Sequence, residues 1–435
     1  MIFPEYDNQC GWYELLGSVT DYPALEGDHH FDTIVIGGGF TGVAAARRMS
    51  ENCPQDRVLL IEALKVGQGA SGRNSGFAIY QPHKHELELA TNSHVQKITG
   101  LNQAAVDYLE TQIRTYGIEC QWSPVGKYQA AVSERGLKYL KNYESLLQST
   151  DEEFQRIEGA ELDNIVGTNF YQAAIYTKRG VLLQPAALMR GLVDNMPDNV
   201  TVSEHSPVHS LERSRNGFSV RTPTALITCG KILMATNAFT AEFGFMRDRI
   251  LPIMTFASMS EPLSEDQARR FGGQYDWGIT PADHAGTTVR MTQDKRLIIR
   301  NSHRFAHDYN TPAQALKKIV GLHRKAHLKR YPQLEDLKFP YTWGGTSSLS
   351  GNFENFFGPL EEGLYSAGCD QCVGISRGTI SGMMMADMAA GRTSNMLSDI
   401  IEVSGSPSRL PPRVLLRIGV PLRMKLAKFA SRKEI

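Results

Sequence analysis

The chain lacks an excess of either charge, a long apolar run, a dense cysteine framework and an internal repeat. Its 435 residues carry 46 basic and 46 acidic side chains, so no net field draws it toward nucleic acid, and a charged partner has to be met by a local patch. Nowhere do eighteen apolar residues run together, which leaves no membrane-spanning helix in the sequence pattern. Met1 to Asn8 form neither a basic n-region nor an apolar h-region, so a cytoplasmic location is expected. Six cysteines, at 10, 53, 120, 229, 369 and 372, are too scattered for a secreted disulfide scaffold and read mostly as buried thiols.

What is present is glycine in an ordered setting. Phe31 to Ile36 is a strand-like run that opens into Gly37-Gly38-Gly39-Phe40-Thr41-Gly42. A small-residue helix follows, and a second apolar run ends on Glu62. Gly37 lets the chain turn off the strand, Gly39 lets backbone approach a pyrophosphate, and Gly42 lets the helix pack on the sheet, while Glu62 is placed to accept ribose hydroxyls. Spacing alone is weak evidence, and Gly67-Gln68-Gly69-Ala70-Ser71-Gly72 repeats it. The preceding strand, the following helix and the acid at the right distance mark the first match as a dinucleotide-binding βαβ unit. The second follows Glu62 too closely to own a strand and crossover, which argues against a second nucleotide site. It continues to Gly76 as a run whose small residues allow close approach to a ligand, with Ser71, Arg73 and Asn74 as donors for phosphate and ring carbonyls. As a bare loop it also reads as a glycine-rich turn.

The length predicts two or three domains. Residues 1 to 30 are turn-rich and aromatic and read as an arm on the first domain, with no visible chemistry. Apolar spacing predicts helices over roughly 85–115 and 134–148, and Pro185 starts another. Thr201–Ser203, Val208–Leu211, Phe218–Arg221 and Ala225–Thr228 read as a β meander, followed by a buried strand from Lys231 to Ala235. From 246 to 342 the pattern is antiparallel: strands Ile250–Met259, Thr287–Met291 and Arg296–Asn301, with helices over 263–271 and 312–330. A late strand, Leu364–Ala367, and a small-residue helix from Gly374 to Ala390 predict a return to the first sheet.

With these segments in order, the chain resembles the D-amino-acid oxidase family of flavoproteins, the group that includes glycine oxidase, sarcosine oxidase and gamma-glutamylputrescine oxidoreductase. The resemblance spans about residues 28 to 392. It rests on Ile34 to Gly42, Leu59 to Ala63 with Gly69 to Gly76, and Lys231 to Ala238. It rests also on Trp343-Gly344-Gly345 with Phe357-Gly358-Pro359, and on Leu364 to Gly382. It implies an α/β fold: a noncontiguous Rossmann-like FAD-binding domain from 28–82, 183–245 and 343–400, and an α+β substrate domain with a mostly antiparallel sheet from 83–182 and 246–342. Residues 401–435 remain as a basic amphipathic segment.

Carried over by position, FAD is expected on Gly37, Gly39, Phe40, Thr41, Gly42, Glu62, Ala63, Gly69, Ala70, Ser71, Arg73, Asn74, Ser75 and Gly76. Val208 is expected at the adenine side, Ala235 and Thr236 beside the pyrophosphate, and Gly345, Gly374, Ile375 and Ser376 by the flavin. The helix start at Gly374 would stabilise negative charge on a reduced flavin. The resemblance implies hydride transfer to flavin N5 from a small amine or amino acid, with oxygen or a quinone as final acceptor. The segment Cys369-Asp370-Gln371-Cys372-Val373 carries no Arg or Lys for a substrate carboxylate, so Arg290, Arg300, Arg304 and His303 are the substitutes, with His83 and His85 as further pocket candidates. Without a cysteine between Trp343 and Phe357, FAD is expected to be noncovalent. Cys369 and Cys372 read as buried thiols or as a redox pair. The other functional readings are an NAD(P)H-linked flavoprotein reductase and a non-catalytic flavin-binding sensor. The segment from Arg409 to Ile435 carries eight basic residues and one acid among apolar ones. It reads first as a docked helix with a solvated face, and alternatively as a peripheral contact with an anionic membrane.

Overall fold

The computed structural model describes residues 1–6, 9–82, 91–150 and 152–435. With strands numbered along the chain, the main path of the first eight-stranded sheet runs β17 (Phe356–Glu361), β18 (Leu364–Gly368), β11 (Ala225–Met234), β1 (Gly27–Ile36), β2 (Val58–Ile61) and β8 (Val200–Ser203). The contacts β18–β11–β1–β2–β8 are parallel, which explains why β2 is buried at every position and reads as an unbroken apolar run. β9 (Ser210–Ser214) and β10 (Gly217–Arg221) fold antiparallel onto β11. The helices Phe40–Asn52 and Ser376–Ala389 pack against each other. Small residues make that contact close: a Cβ on Gly382 would lie 2.0 Å from the Thr41 carbonyl oxygen.

The second eight-stranded sheet runs β16 (Tyr341–Leu349), β12 (Leu251–Pro262), β15 (Arg296–Phe305), β14 (Thr288–Met291), β13 (Trp277–Pro281), β4 (Lys127–Ala131), β6 (Ala173–Thr177) and β5 (Phe154–Glu158). Every neighbour pair is antiparallel except β13–β4. A short ribbon, β3 (Phe77–Ala78) with β7 (Val181–Leu182), completes the strands.

Several expectations need correcting. The strand around Trp343 pairs with β12, so residues up to Leu349 belong to the second sheet, not to the first domain. The helix Asn92–Tyr116 buries Val106 and Leu109 in the same core as Val35, Phe40 and Met385, so it serves the nucleotide domain and not the substrate domain. The expected break between Thr228 and Lys231 is absent. Gly230 interrupts the apolar pattern, but the backbone continues as one strand, alternating where β10 covers it and fully buried where the core closes over it.

The basic segment forms a helix, Arg413–Ala430, with no fully buried residue. Its apolar residues occupy two sides. Leu416, Val420 and Met424 are half-buried, while Val414, Ile418 and Phe429 are about two-thirds exposed (70%, 68% and 67%) and Leu415, Leu422 and Leu426 are also exposed. Anchors hold both ends. Leu410 N–H donates to the Asp248 carbonyl at 2.6 Å. Beyond the helix, the buried Glu434 carboxylate accepts from the N–H groups of Val132 and Ser133. Among the described residues, no helix is long and apolar enough to cross a membrane.

Candidate functional site

At the end of β1, Gly37 turns the chain with φ +105°, and a Cβ on Gly42 would sit 1.7 Å from the Gly37 carbonyl oxygen. The helix Phe40–Asn52 therefore starts hard against the strand. Gly39 occupies its cap position and has no side chain to cap the first turn, which leaves helix-start N–H groups beyond Phe40 and the positive end of the dipole for an anion. The Phe40 N–H donates to Ser71 Oγ at 3.0 Å, so the two glycine motifs form one cradle. Glu62 ends the neighbouring strand, its carboxylate accepting from Gly38 N–H at 2.7 Å and Leu64 N–H at 3.0 Å. Burial pushes this carboxyl above its usual range, and the two N–H donors partly offset that.

The second motif is a rigid shelf. A Cβ on Gly72 would meet the Gly67 oxygen at 1.9 Å. Asn74 donates to the Ser71 carbonyl at 2.6 Å and accepts from Gly76 N–H at 2.8 Å. Arg73 donates to the carbonyls of Gln68 at 2.6 Å and Gly344 at 3.1 Å, with its guanidinium over the Tyr6 ring. The amino-terminal arm supports this shelf from beneath, since the buried Trp12 indole donates to the Asn74 carbonyl at 2.8 Å.

Between the sheets lies a cavity of about 530 Å³. Of the residues expected to hold the cofactor, Gly39, Phe40, Thr41, Ala70, Ser71, Arg73, Asn74, Ser75, Ala235, Gly345, Gly374 and Ile375 line it. The others do not face it. Gly76 packs, because a Cβ there would lie 2.1 Å from both Arg290 and the Leu183 oxygen. Ser376 donates to the Ile79 carbonyl at 2.7 Å, and the Thr236 hydroxyl pairs with Thr240 at 2.8 Å. Val208 is buried in the core beneath β1 and β2. Gly37, Gly42, Glu62, Ala63 and Gly69 lie at the strand ends and helix start beyond the cavity wall. An uncapped helix start, an acid one strand away and a cavity continuing to Gly345 fit the diphosphate, ribose and ring of FAD in turn.

The candidate substrate residues separate into two groups. Arg300 and His303 line the cavity; Arg290 and Arg304 do not. Arg290 is fully buried and donates to the carbonyls of Ser75, Gly76 and Leu183, and burial lowers its pKa to about 10. Arg304 pairs with Asp308 at 2.8 Å. Ser302, at φ +65°, is an extra residue in β15 opposite the Thr255–Phe256 step. That bulge turns His303 inward and Arg304 away. Burial, then Arg300 and Lys428, lower His303 to about 3, so it is a neutral hydrogen-bonding group. His83 and His85 lie outside the described residues.

Three further wall residues escaped the sequence patterns. Lys127 on β4 is 7% exposed and burial lowers it to about 8. Tyr143 lies beneath its ammonium group. Asp370, in the loop before the helix Ser376–Ala389, is raised to about 6 by burial, with Arg377 opposing. Lys127 has a detectable signal, a cation at an inward position of an alternating strand, but its neighbour β13 is remote in sequence. Cys369 and Cys372 are both free thiols; the first is buried and the second faces the cavity.

Comparison with known proteins agrees with this layout. Residues 32–388 match the family described as FAD dependent oxidoreductase. The chain is 25% identical over 425 residues to a probable oxidoreductase, OrdL, of Haemophilus influenzae, covering 94% of each. It is 24% identical over 373 residues to the gamma-glutamylputrescine oxidoreductase of Escherichia coli, covering 83% of this chain and 84% of that one. Its fold matches the crystal structure of glycine oxidase from Geobacillus kaustophilus with a TM-score of 0.72, at 16% identity, covering 88% of this chain and 100% of that one.

Proposed function

The chain belongs to the family of FAD-dependent oxidoreductases, and from that premise we propose that it oxidises the carbon–nitrogen bond of a small amine or amino acid. One observation carries the proposal: the wall of the cavity opposite the nucleotide cradle presents a guanidinium, Arg300, and a neutral imidazole, His303, from adjacent turns of one bulged strand. FAD, held noncovalently, supplies a two-electron acceptor for the hydride on the carbon beside nitrogen. Arg300 holds a substrate carboxylate and so fixes which C–H bond faces the cofactor. His303 has no charge to repel an amine and can accept a hydrogen bond from it. Water then converts the imine to a carbonyl compound and releases ammonia or a smaller amine. No dedicated base is required, because the neutral amine's lone pair assists hydride departure.

The rival reductase activity would need a second nucleotide unit, and the motif at Gly67 is joined to the first cradle through Ser71. Anaerobic mixing of the FAD-loaded protein with amines, amino acids and N-methyl amino acids separates the readings. Bleaching of the flavin by one of them is the expected result; bleaching by NADH alone would overturn it in favour of the reductase, and bleaching by none in favour of the sensor.

Oxygen or a quinone takes the electrons in the final step. The exposed stripe of the helix Arg413–Ala430 supports access to a quinone. Six apolar side chains on that stripe are flanked by Arg413, Arg417, Arg423 and Lys425, a combination suited to an anionic bilayer surface. The same cations would repel a second copy of the helix.

A further inference from the structure

Two cations in the cavity have no carboxylate beside them among the described residues. Arg300 and Lys127 both line it, and among the described residues neither side chain makes a hydrogen bond or ion pair; Lys127 lies over the Tyr143 ring and Arg300 feels the Cys372 sulfur. Arg190, buried elsewhere, is paired with Glu204, and Arg290 places its Nη1 on three carbonyls. Lys127 is buried and Arg300 half-buried, and a cation drawn out of water without a partner is costly unless something else supplies the negative charge. Among the described residues the one acid on the cavity wall, Asp370, has Arg377 beside it.

The sheet sets the distance between them. Arg300 stands opposite Thr288 on β14. Continuing the β13–β14 register places Thr288 beside Thr280, which adjoins Gln129 on β4. Lys127 lies two residues along the same face. The cations therefore stand at opposite sides of a floor three strand spacings wide and two residues offset, about 16 Å between backbones, and each has a long side chain to span part of it. The threonine and glutamine side chains between them are polar and uncharged.

We propose that this cavity selects an amine bearing two anionic groups, with one carboxylate held by Arg300 and the second, several bonds away, held by Lys127. The substrate class is thus a dicarboxylic amino acid or an amine carrying two acidic arms. This deepens the amine-oxidation proposal and rests on it for the identity of the site.

Binding can be tested without turnover. The FAD-loaded full-length protein is titrated with dicarboxylates from succinate to pimelate and with monocarboxylates of equal length, following the perturbation of flavin absorbance. A dicarboxylate of matching length should bind at least tenfold more tightly than its monocarboxylate. Lys127→Met should erase that advantage, Lys127→Arg should retain most of it, and Arg300→Met should weaken both series. Equal affinities along the whole series, or an advantage that survives Lys127→Met, would overturn the proposal, and the wild-type comparison decides even if a variant fails to fold. Flavin bleaching by monoanionic amines with no dicarboxylate preference would sink this inference alone. A dicarboxylate preference without bleaching by any amine would sink the proposed oxidation alone.

Discussion

Replacing Gly42 by alanine should damage the protein, although alanine is favoured over glycine inside a helix by about 1 kcal/mol. The new Cβ would stand 1.7 Å from the Gly37 carbonyl oxygen and 2.9 Å from its carbon. Both are backbone atoms of a turn held at φ +105°, so no side chain can swing aside. The helix Phe40–Asn52 would have to withdraw by more than an ångström, and its other side is already blocked where Gly382 meets Thr41. Overpacking of this kind costs about 3 kcal/mol or more, so about 2 kcal/mol of loss remains after the propensity gain. Withdrawal also moves the Phe40 N–H off Ser71 and splits the cradle. Gly100, inside the helix Asn92–Tyr116, is the control, since a Cβ there meets nothing within 4 Å. The assay is the thermal midpoint with and without added FAD, together with the flavin retained after gel filtration. Gly42→Ala should lower both midpoints and release FAD, whereas Gly100→Ala should hold or raise them. A Gly42→Ala protein as stable and as yellow as the wild type would refute the reasoning.

Other consequences follow from the same contacts. Glu204→Leu removes the fully buried acid of Arg190, leaving only the partly exposed Asp194 at 3.6 Å, and should cost about 3 kcal/mol in chemical denaturation; an unchanged midpoint would count against the pair. Because burial lowers Lys127 to about 8, it is cationic below that pH, so dicarboxylate affinity should be full well below it and fall as pH rises past about 8. Tyr143, facing it from the helix Glu134–Ser149, is pushed upward by burial and stays neutral, and the fall should persist in His284→Gln, which removes the histidine on that wall. The wild-type chain should float with phosphatidylglycerol vesicles at low salt and not with phosphatidylcholine vesicles. Ile418→Asp with Leu422→Asp should abolish flotation without loss of bound FAD, and failure of the wild type to float would remove the membrane contact.

The nucleotide cradle was legible because its chemistry is local: Gly37, Gly39 and Gly42 act within one turn, and Glu62 ends the next strand. The neighbouring run at Gly67 was legible as cradle, although Arg73 and Asn74 turn out to spend hydrogen bonds on the shelf itself. The substrate wall was harder. A regular strand would place Arg300 and Arg304 on one face, and only the bulge at Ser302 separates them. Arg290 shares a strand face with Thr288, but it lies further along, where three carbonyls close the floor. Lys127 becomes a cavity residue only because β4 pairs with β13, a contact between segments roughly 150 residues apart that no periodicity announces. Which side of the closing helix meets solvent was not legible, since its apolar residues occupy two sides and either could have faced inward.

The most direct test of the account is flavin reduction by a carboxylated amine in the wild type and in Arg300→Met, measured anaerobically by stopped flow. Arg300 is predicted to hold the carboxylate in both the ground and transition states and to orient the C–H bond. The variant should therefore show weaker saturation and a lower limiting rate with the carboxylated amine, and little change with the decarboxylated analogue. Equal reduction of wild type and variant by both amines would contradict the account.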